Sequence, residues 1–284
     1  MDAMGGKIRF GTSGNPPTFF KSEYGKDRVN APDCIHSIGL NAYERMMTYG
    51  AKMRPEDAVE MGKKAKRHDI FLSVHAPYYI VFTSEKESTL KNSVTELKKT
   101  LVLSEMMGAK RIVFHPGFGK DWKKVVAGIK KVEKDRPKGI TIHPETMGRI
   151  SQLGNLAEVI EICKHTECLP CIDFAHVHAR EQGSLMKKED FRKILITIEK
   201  ELGNDVMRQL HCHFYPVEWN VQGEKYHRAV MEKDVFPIFQ PYGELIKEFN
   251  MTPVLISESR DSQDVGALLM RDTMKKLLGK KFVE

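Results

Sequence analysis

Short apolar, β-branched runs alternate along this chain with longer amphipathic segments, and that alternation most limits what it can fold into. A parallel neighbour strand is reached only over a crossover long enough to hold a helix, so repeated βα units imply a parallel sheet. The runs read as strands are Ile8 to Phe10, Ala42 to Met46, Phe71 to Val74, Arg111 to Phe114, Gly139 to Ile142, Leu169 to Ile172, Gln209 to Cys212 and Val254 to Ile256. Eight such strands with intervening helices close most simply as an α/β (β/α)8 TIM barrel, and 284 residues is near the usual size. No Pro/Gly/Ser-rich linker or low-complexity block interrupts the pattern, so one domain is expected over 1–284, with flexible ends at 1–7 and 279–284.

Between the strands, Pro55 to His68 opens on a proline followed by acids, while Ser84 to Met107 and Ser262 to Leu278 begin with serine as a candidate cap. Ala31 to Ile38 makes a short first helix. The stretches Phe174 to Met186 and Phe214 to Val235 read as long loops after strands, where function concentrates.

The apolar content of 41% is ample for a buried core. No run of about eighteen apolar residues is present, and Met1 to Lys7 lacks a secretory apolar run, so a cytoplasmic protein without a membrane partner is expected. Forty-five Lys and Arg against 38 Asp and Glu leave a net charge of +7, which favours polyanionic partners. Five cysteines without an export signal are expected to be reduced thiols. Cys163, Cys168 and Cys171 with His165 offer donors for a structural zinc, but there is a single Cys-x-x-Cys and Cys171 lies inside a strand, which favours buried thiols.

In a barrel of this kind the chemistry sits at the carboxyl ends of the strands. Six residues fall there: His75 in Ser-Val-His-Ala-Pro, His115 in Val-Phe-His-Pro-Gly, Glu145 in His-Pro-Glu-Thr, Asp173 in Cys-Ile-Asp-Phe-Ala-His, His213 in His-Cys-His-Phe and Glu258 in Leu-Ile-Ser-Glu-Ser. Singly, each has a bland alternative as a hydrogen-bonded structural histidine or a helix cap. Gathering three imidazoles and three carboxylates at one mouth is costly without a compensating charge, and divalent cations supply it most simply. Mixed imidazole and carboxylate donors suit zinc, with manganese also compatible. Two such cations bridged by a carboxylate can share a hydroxide nucleophile for phosphate-ester hydrolysis. His211 and His213 lie two apart and point to the same side; His213, nearer the mouth, is the preferred ligand, and His143 stands behind Glu145 in the same way.

These segments, in this order, resemble the endonuclease IV family, and the start Ile-Arg-Phe-Gly-Thr-Ser-Gly-Asn-Pro together with Ser-Val-His-Ala-Pro-Tyr-Tyr-Ile resembles its archaeal-type members. The resemblance spans about Ile8 to Leu278. It implies hydrolysis of the phosphodiester 5′ to an abasic site in duplex DNA, leaving a 3′-hydroxyl, through a zinc cluster in the barrel mouth; two or three zinc ions and a monomeric chain are expected. It makes His75, His115 and Glu145 the ligands of a first metal and Glu145 the bridge to a second, completed by Asp173, His213 and Glu258. Glu145 and Glu258 become the catalytic carboxylates. A third metal in the family is held by the counterpart of His176 and an Asp-x-His pair, where this chain reads Lys225-Tyr226-His227. His227 is the remaining candidate ligand of that pair, and three readings follow from the departure: Glu224 or Glu218 substitutes, Lys225 occupies the phosphate-binding position electrostatically, or the site holds only two metals.

A barrel mouth does not admit a duplex, so the damaged nucleotide must be extruded and the gap filled. Tyr78 and Tyr79 resemble the family's inserting loop, or else cover the rim. Lys52, Arg54, Arg180, Lys225 and Arg228, with Lys120, Lys123 and Lys124, are candidates for a phosphate track. Two rival readings stand beside the nuclease: a xylose-isomerase-like sugar isomerase or epimerase with a Glu, Asp, His and Glu metal set, and a non-catalytic DNA-binding barrel with structural metals.

Overall fold

Each barrel strand is only three to five residues long, so two or three inward side chains per strand must fill the interior. In the computed structural model, which describes residues 7–279, the strands are β1 (Arg9–Ser13), β2 (Ala42–Met46), β3 (Phe71–His75), β4 (Arg111–Phe114), β5 (Thr141–Pro144), β6 (Cys171–Asp173) and β7 (His211–His213). A hairpin follows, β8 (Val217–Asn220) and β9 (Gly223–His227), and then β10 (Val254–Ser257). The expected flexible ends lie outside the described residues, apart from Lys7 and Gly279.

The sheet runs β5-β4-β3-β2-β1-β10-β7-β6, every pairing parallel. The remaining seam, β5 to β6, is closed by a parallel bridge between Glu145 and Cys171, with the Thr146 amide donating to the Cys171 carbonyl at 3.0 Å. The chain is thus an α/β TIM barrel, as its alternating pattern implies.

Residues alternate between the barrel interior and the helical layer. Phe10, Tyr43, Leu72, Val74, Ile112, Phe114, Ile142, Ile172, Cys212 and Leu255 belong to the main apolar core under the helices. Burying each of the larger of these side chains stabilises the fold by about 1.5–3 kcal/mol. Helix Pro55–Arg67 shows how the outer layer is specified: Ala58, Met61 and Ala65 form its buried stripe, while Lys64, Lys66 and Arg67 complement its C-terminal dipole. The long helix begins at Glu87, beyond the expected Ser84, and the Ser262 side chain bonds the Arg260 carbonyl instead of capping Gln263–Leu278.

The inward residues are mostly polar, and this moves several strand boundaries. β5, β6 and β7 begin two residues later than the apolar runs Gly139 to Ile142, Leu169 to Ile172 and Gln209 to Cys212 suggest. An apolar run loses its signal where inward positions become Thr141, His143, Asp173, His211 and His213. Within the two stretches read as loops, Phe174–Arg180 forms a helix and 217–227 forms the hairpin. No described helix is long and apolar enough to cross a membrane.

Gly11 on β1 faces Ala42 and Ile256 across the ladder, and a Cβ there would lie 2.2 Å from the Ala42 carbonyl oxygen. Because that atom is backbone, Gly11→Ala must push two central strands apart. It should lower stability by about 1–3 kcal/mol, read as an earlier denaturant midpoint with unchanged slope; a parent-like midpoint would show that this approach does not constrain the barrel.

Candidate metal centre

Glu145, one residue past β5, is the hub of the barrel mouth. Its backbone is held by the seam bridge and by donation to the Phe114 carbonyl at 3.1 Å. One carboxylate oxygen, Oε2, lies 3.2 Å from His75 Nε2 and 3.1 Å from His115 Nε2. The other, Oε1, lies 3.2 Å from Nδ1 of both His176 and His213. Asp173 and Glu258 close the ring, with oxygens 3.7 and 3.5 Å from His213 Nδ1. All six strand-end residues read from the sequence therefore meet in one buried cluster, and His176 joins them.

Their local frames have identifiable causes. Asp173 caps the helix Phe174–Arg180 by accepting from the His176 amide at 2.7 Å through Oδ1, which places the His176 ring one turn into the mouth. Its Oδ2 is buried without a hydrogen-bond partner, as is Glu258 Oε1. Asp173 thus serves both as the cap and as an acid facing the cluster. Such orphaned carboxylate oxygens beside concentrated imidazoles fit a cation-binding set. Donor atoms of His75, His115 and Glu145 lie within 4.8 Å of one another, as do those of Glu145, Asp173 and His176.

Burial works against charge here and is offset by pairing. It pushes the Glu145 carboxyl up, but His115 and His213 outweigh that and hold it well below its ordinary range. Burial prevails at Asp173, whose carboxyl is raised, and at His115, whose imidazole is lowered. His176 shows the converse: burial lowers it, yet Asp173 and Glu224 carry it well above its usual value.

A second grouping lies beside the first. His176 Nε2 is 3.2 Å from Glu224 Oε2, and His227 Nε2 is 3.4 Å from Glu224 Oε1. Of the three readings of the Lys225 departure, the geometry favours Glu224, one residue earlier on β9. Lys225 is exposed, its ammonium 5.8 Å from the Tyr226 ring centre, and Glu218 pairs with Arg228 at 3.6 Å. The hairpin delivers Glu224 by lying on the 148–150 segment, where the Glu224 amide donates to the Gly148 carbonyl and the Ile150 amide to the Gln222 carbonyl. Glycine is required at both contacts. A Cβ on Gly223, which has φ +91°, would sit 2.1 Å from Gly148 O, and one on Gly148 would meet Glu224 and His176. The buried Tyr215 ring stacks on His227 at 4.1 Å.

Sequence reading missed Glu44. This fully buried carboxylate on β2 accepts from Ser73 Oγ at 2.8 Å and lies 2.9 Å from His211 Nε2 and 3.0 Å from His213 Nε2. Burial raises its carboxyl, but His213 and His211 more than compensate and hold it well below its ordinary range. Nδ1 of His213 thus faces the cluster while Nε2 faces Glu44, and His211 belongs to the layer beneath, as does His143, which contacts Thr141 Oγ1 at 2.7 Å. The signal for Glu44 was one acid in the middle of a barrel strand, two residues from the inward Ala42 and Met46.

The candidate DNA contacts do not behave alike. Tyr78 stays 47% exposed while stacking on His115 at 4.9 Å, and Tyr79 donates to Glu96 at 3.0 Å. Lys52 is exposed and without an ion-pair partner among the described residues. Arg54 is engaged by Asp57, and Arg228 by Glu232. Arg180 donates to the carbonyls of Met147, Arg149 and Gln152, bracing the segment under the hairpin. All five cysteines are free and buried; Cys171 points toward His211 and His213, whereas His165 is exposed against Trp122.

Comparison with known proteins places this geometry. Residues 33–277 match the family described as xylose isomerase-like TIM barrels. An uncharacterised protein of Methanocaldococcus jannaschii is 29% identical over 274 residues, covering 92% of this chain and 95% of that one. A probable endonuclease 4 of Oceanobacillus iheyensis is 34% identical over 153 residues, a match that spans 49% of this chain and 50% of the relative. Among solved structures, endonuclease IV from Thermus thermophilus superposes with a TM-score of 0.75 at 16% identity, over 94% of this chain and 99% of that one. A D-tagatose 3-epimerase-like protein superposes with a TM-score of 0.68, also at 16% identity, over 96% and 99%. At such identities the two superpositions speak for the fold, which nucleases and epimerases share. With the family match covering most of its length, the chain belongs to the xylose isomerase-like TIM barrels.

Proposed function

We propose that this protein is a metal-dependent apurinic/apyrimidinic endonuclease, cutting the phosphodiester 5′ to an abasic site in duplex DNA to leave a 3′-hydroxyl. The observation that carries the reading is the imidazole-rich surround of Glu145: His75, His115, His176 and His213 all lie within 3.2 Å of its carboxylate. A hard-metal sugar site needs far less nitrogen. In this reading His75, His115 and Glu145 hold one cation, Glu145, Asp173, His213 and Glu258 a second, and His176, Glu224 and His227 a third. Zinc is the metal these donors suit best, with manganese as the substitute. Cations in such a set supply Lewis acidity, acidifying water and offsetting charge on phosphoryl oxygens.

The chain's own groups do the rest. Glu145 keeps the imidazoles at fixed separation, and Glu44, with Oε1 3.0 Å from His213 Nε2, sets a carboxylate charge beneath that ring. Tyr78 covers His115 at the rim, where an extruded sugar must pass, and its exposed face is available to a neighbouring base. The protein acts as a monomer in the cytoplasm.

A duplex carrying one tetrahydrofuran abasic analogue tests the reading, because that analogue cannot be cut by β-elimination. Incision should be abolished by a chelator, restored by zinc and reduced at least about a thousandfold in Glu145→Gln; incision indifferent to both treatments would sink it. The epimerase reading has its own support in the Glu145, Asp173, His213 and Glu258 set. Turnover of a keto-sugar, with the abasic duplex left intact, would establish that reading instead.

Glu224 and Glu44 should separate by metal analysis. Glu224→Gln is expected to lose one metal equivalent per chain while the others stay. Glu44→Gln is expected to weaken zinc about 10- to 100-fold in a chelator competition, without change in the number of sites. Full zinc content at parent affinity in both variants would remove both carboxylates from the metal chemistry.

A further inference from the structure

Beside the metal centre, the carboxyl ends of β1 and β2 open on a cavity of about 460 Å³ that the reaction scheme does not use. Its walls carry three cations, Arg28, Arg45 and Lys52, and no carboxylate. Among the described residues none of the three makes an ion pair, in contrast to Arg54, two residues beyond Lys52, which is held by Asp57. Arg45 Nε is also buried with no hydrogen-bond partner. Leaving a guanidinium N–H dry and unpaired is costly, and an anionic acceptor removes the cost. The floor is donor-rich as well: the buried Tyr43 hydroxyl donates to Asn15 Oδ1, so the donor end of the Asn15 amide is what remains for the cavity.

The cavity is connected to the chemistry. Met46 in its wall is the register partner of His75, and the Met47 amide donates to the His75 carbonyl at 2.9 Å. Phe20 and Tyr49 at its lip are 59% and 84% exposed, giving apolar surface next to the cations. A bare ion would use only the cations; an ester would use both surfaces.

We infer that this cavity is a phosphate-ester subsite in which Arg28, Arg45 and Lys52 hold a phosphate one or more nucleotides away from the group processed at the metal centre. The source of that phosphate, a DNA strand, rests on the nuclease reading; the phosphate chemistry does not.

Titration of the metal-loaded protein with thymidine 3′,5′-bisphosphate, followed by calorimetry, tests the subsite. Arg45→Gln should weaken binding at least about tenfold and Arg28→Gln severalfold, while Arg45→Lys, which keeps the charge but has no Nε–H, should recover only part of the affinity. Arg28 is exposed, so its variant carries the test if Arg45→Gln unfolds. In parallel, each cation removed should flatten the salt dependence of abasic-duplex binding by about one unit of slope. Lost bisphosphate binding with an unchanged duplex slope would keep the subsite and assign it to a small phosphate ester, against the nuclease reading. Parent-like bisphosphate affinity in both glutamine variants, meaning that the ester is held at the metal centre alone, would overturn the subsite.

Discussion

The contact on which the mouth depends is that of one carboxylate, Glu145, with four imidazoles from β3, the β4 end, the helix after β6 and β7. The same residue supplies the bridge that closes the β5 to β6 seam, so barrel closure and site assembly are one structural event. A change that displaces Glu145 therefore loosens both the geometry of the donors and the last interstrand junction. This economy has a cost: buried acids and bases concentrated at one point are tolerable only while their charges balance, by mutual pairing or by bound cations.

Beneath the mouth the interior continues polar. Glu44, Ser73, His143 and His211 form a layer in which each carboxylate oxygen of Glu44 meets an imidazole, and the Arg111 guanidinium lies over the Phe71 ring lower down. A barrel filled by Val, Ile and Leu would be easier to stabilise. The polar layer instead places a carboxylate charge under the site: Nε2 of His213 faces Glu44 and Nδ1 faces the cluster. Such support from behind a ligand commonly matters almost as much as the ligand itself.

Legibility from sequence followed the strength of each physical signal. The eight strands were readable because outward residues such as Val74, Ile112 and Ile172 must be apolar wherever helices cover them. The ends of β5, β6 and β7 were not, since inward His143, Asp173 and His211 break the apolar run where the strand continues. His75, His115, Glu145, Asp173, His213 and Glu258 were found because position at a strand end is itself a signal. Glu44 escaped because it sits mid-strand, and the hairpin escaped because its few residues bury only part of one face and its register shifts between Glu218 and Trp219.

That register shift bears on how a donor set survives substitution. Where the endonuclease IV pattern has Asp-x-His, this chain has an ammonium at Lys225, which in the same place would repel a cation. Glu224 reaches the pair His176 and His227 from the preceding position because the hairpin is pinned by Gly148 and Gly223, allowing its backbone to approach the 148–150 segment closely. A glutamate carries one more methylene than an aspartate, so a carboxylate can be delivered from a backbone position displaced along the strand. In the nuclease reading, what a third metal requires is a charge at a point in space, and the residue number that supplies it is free to move so long as the glycine contacts hold the ribbon in place.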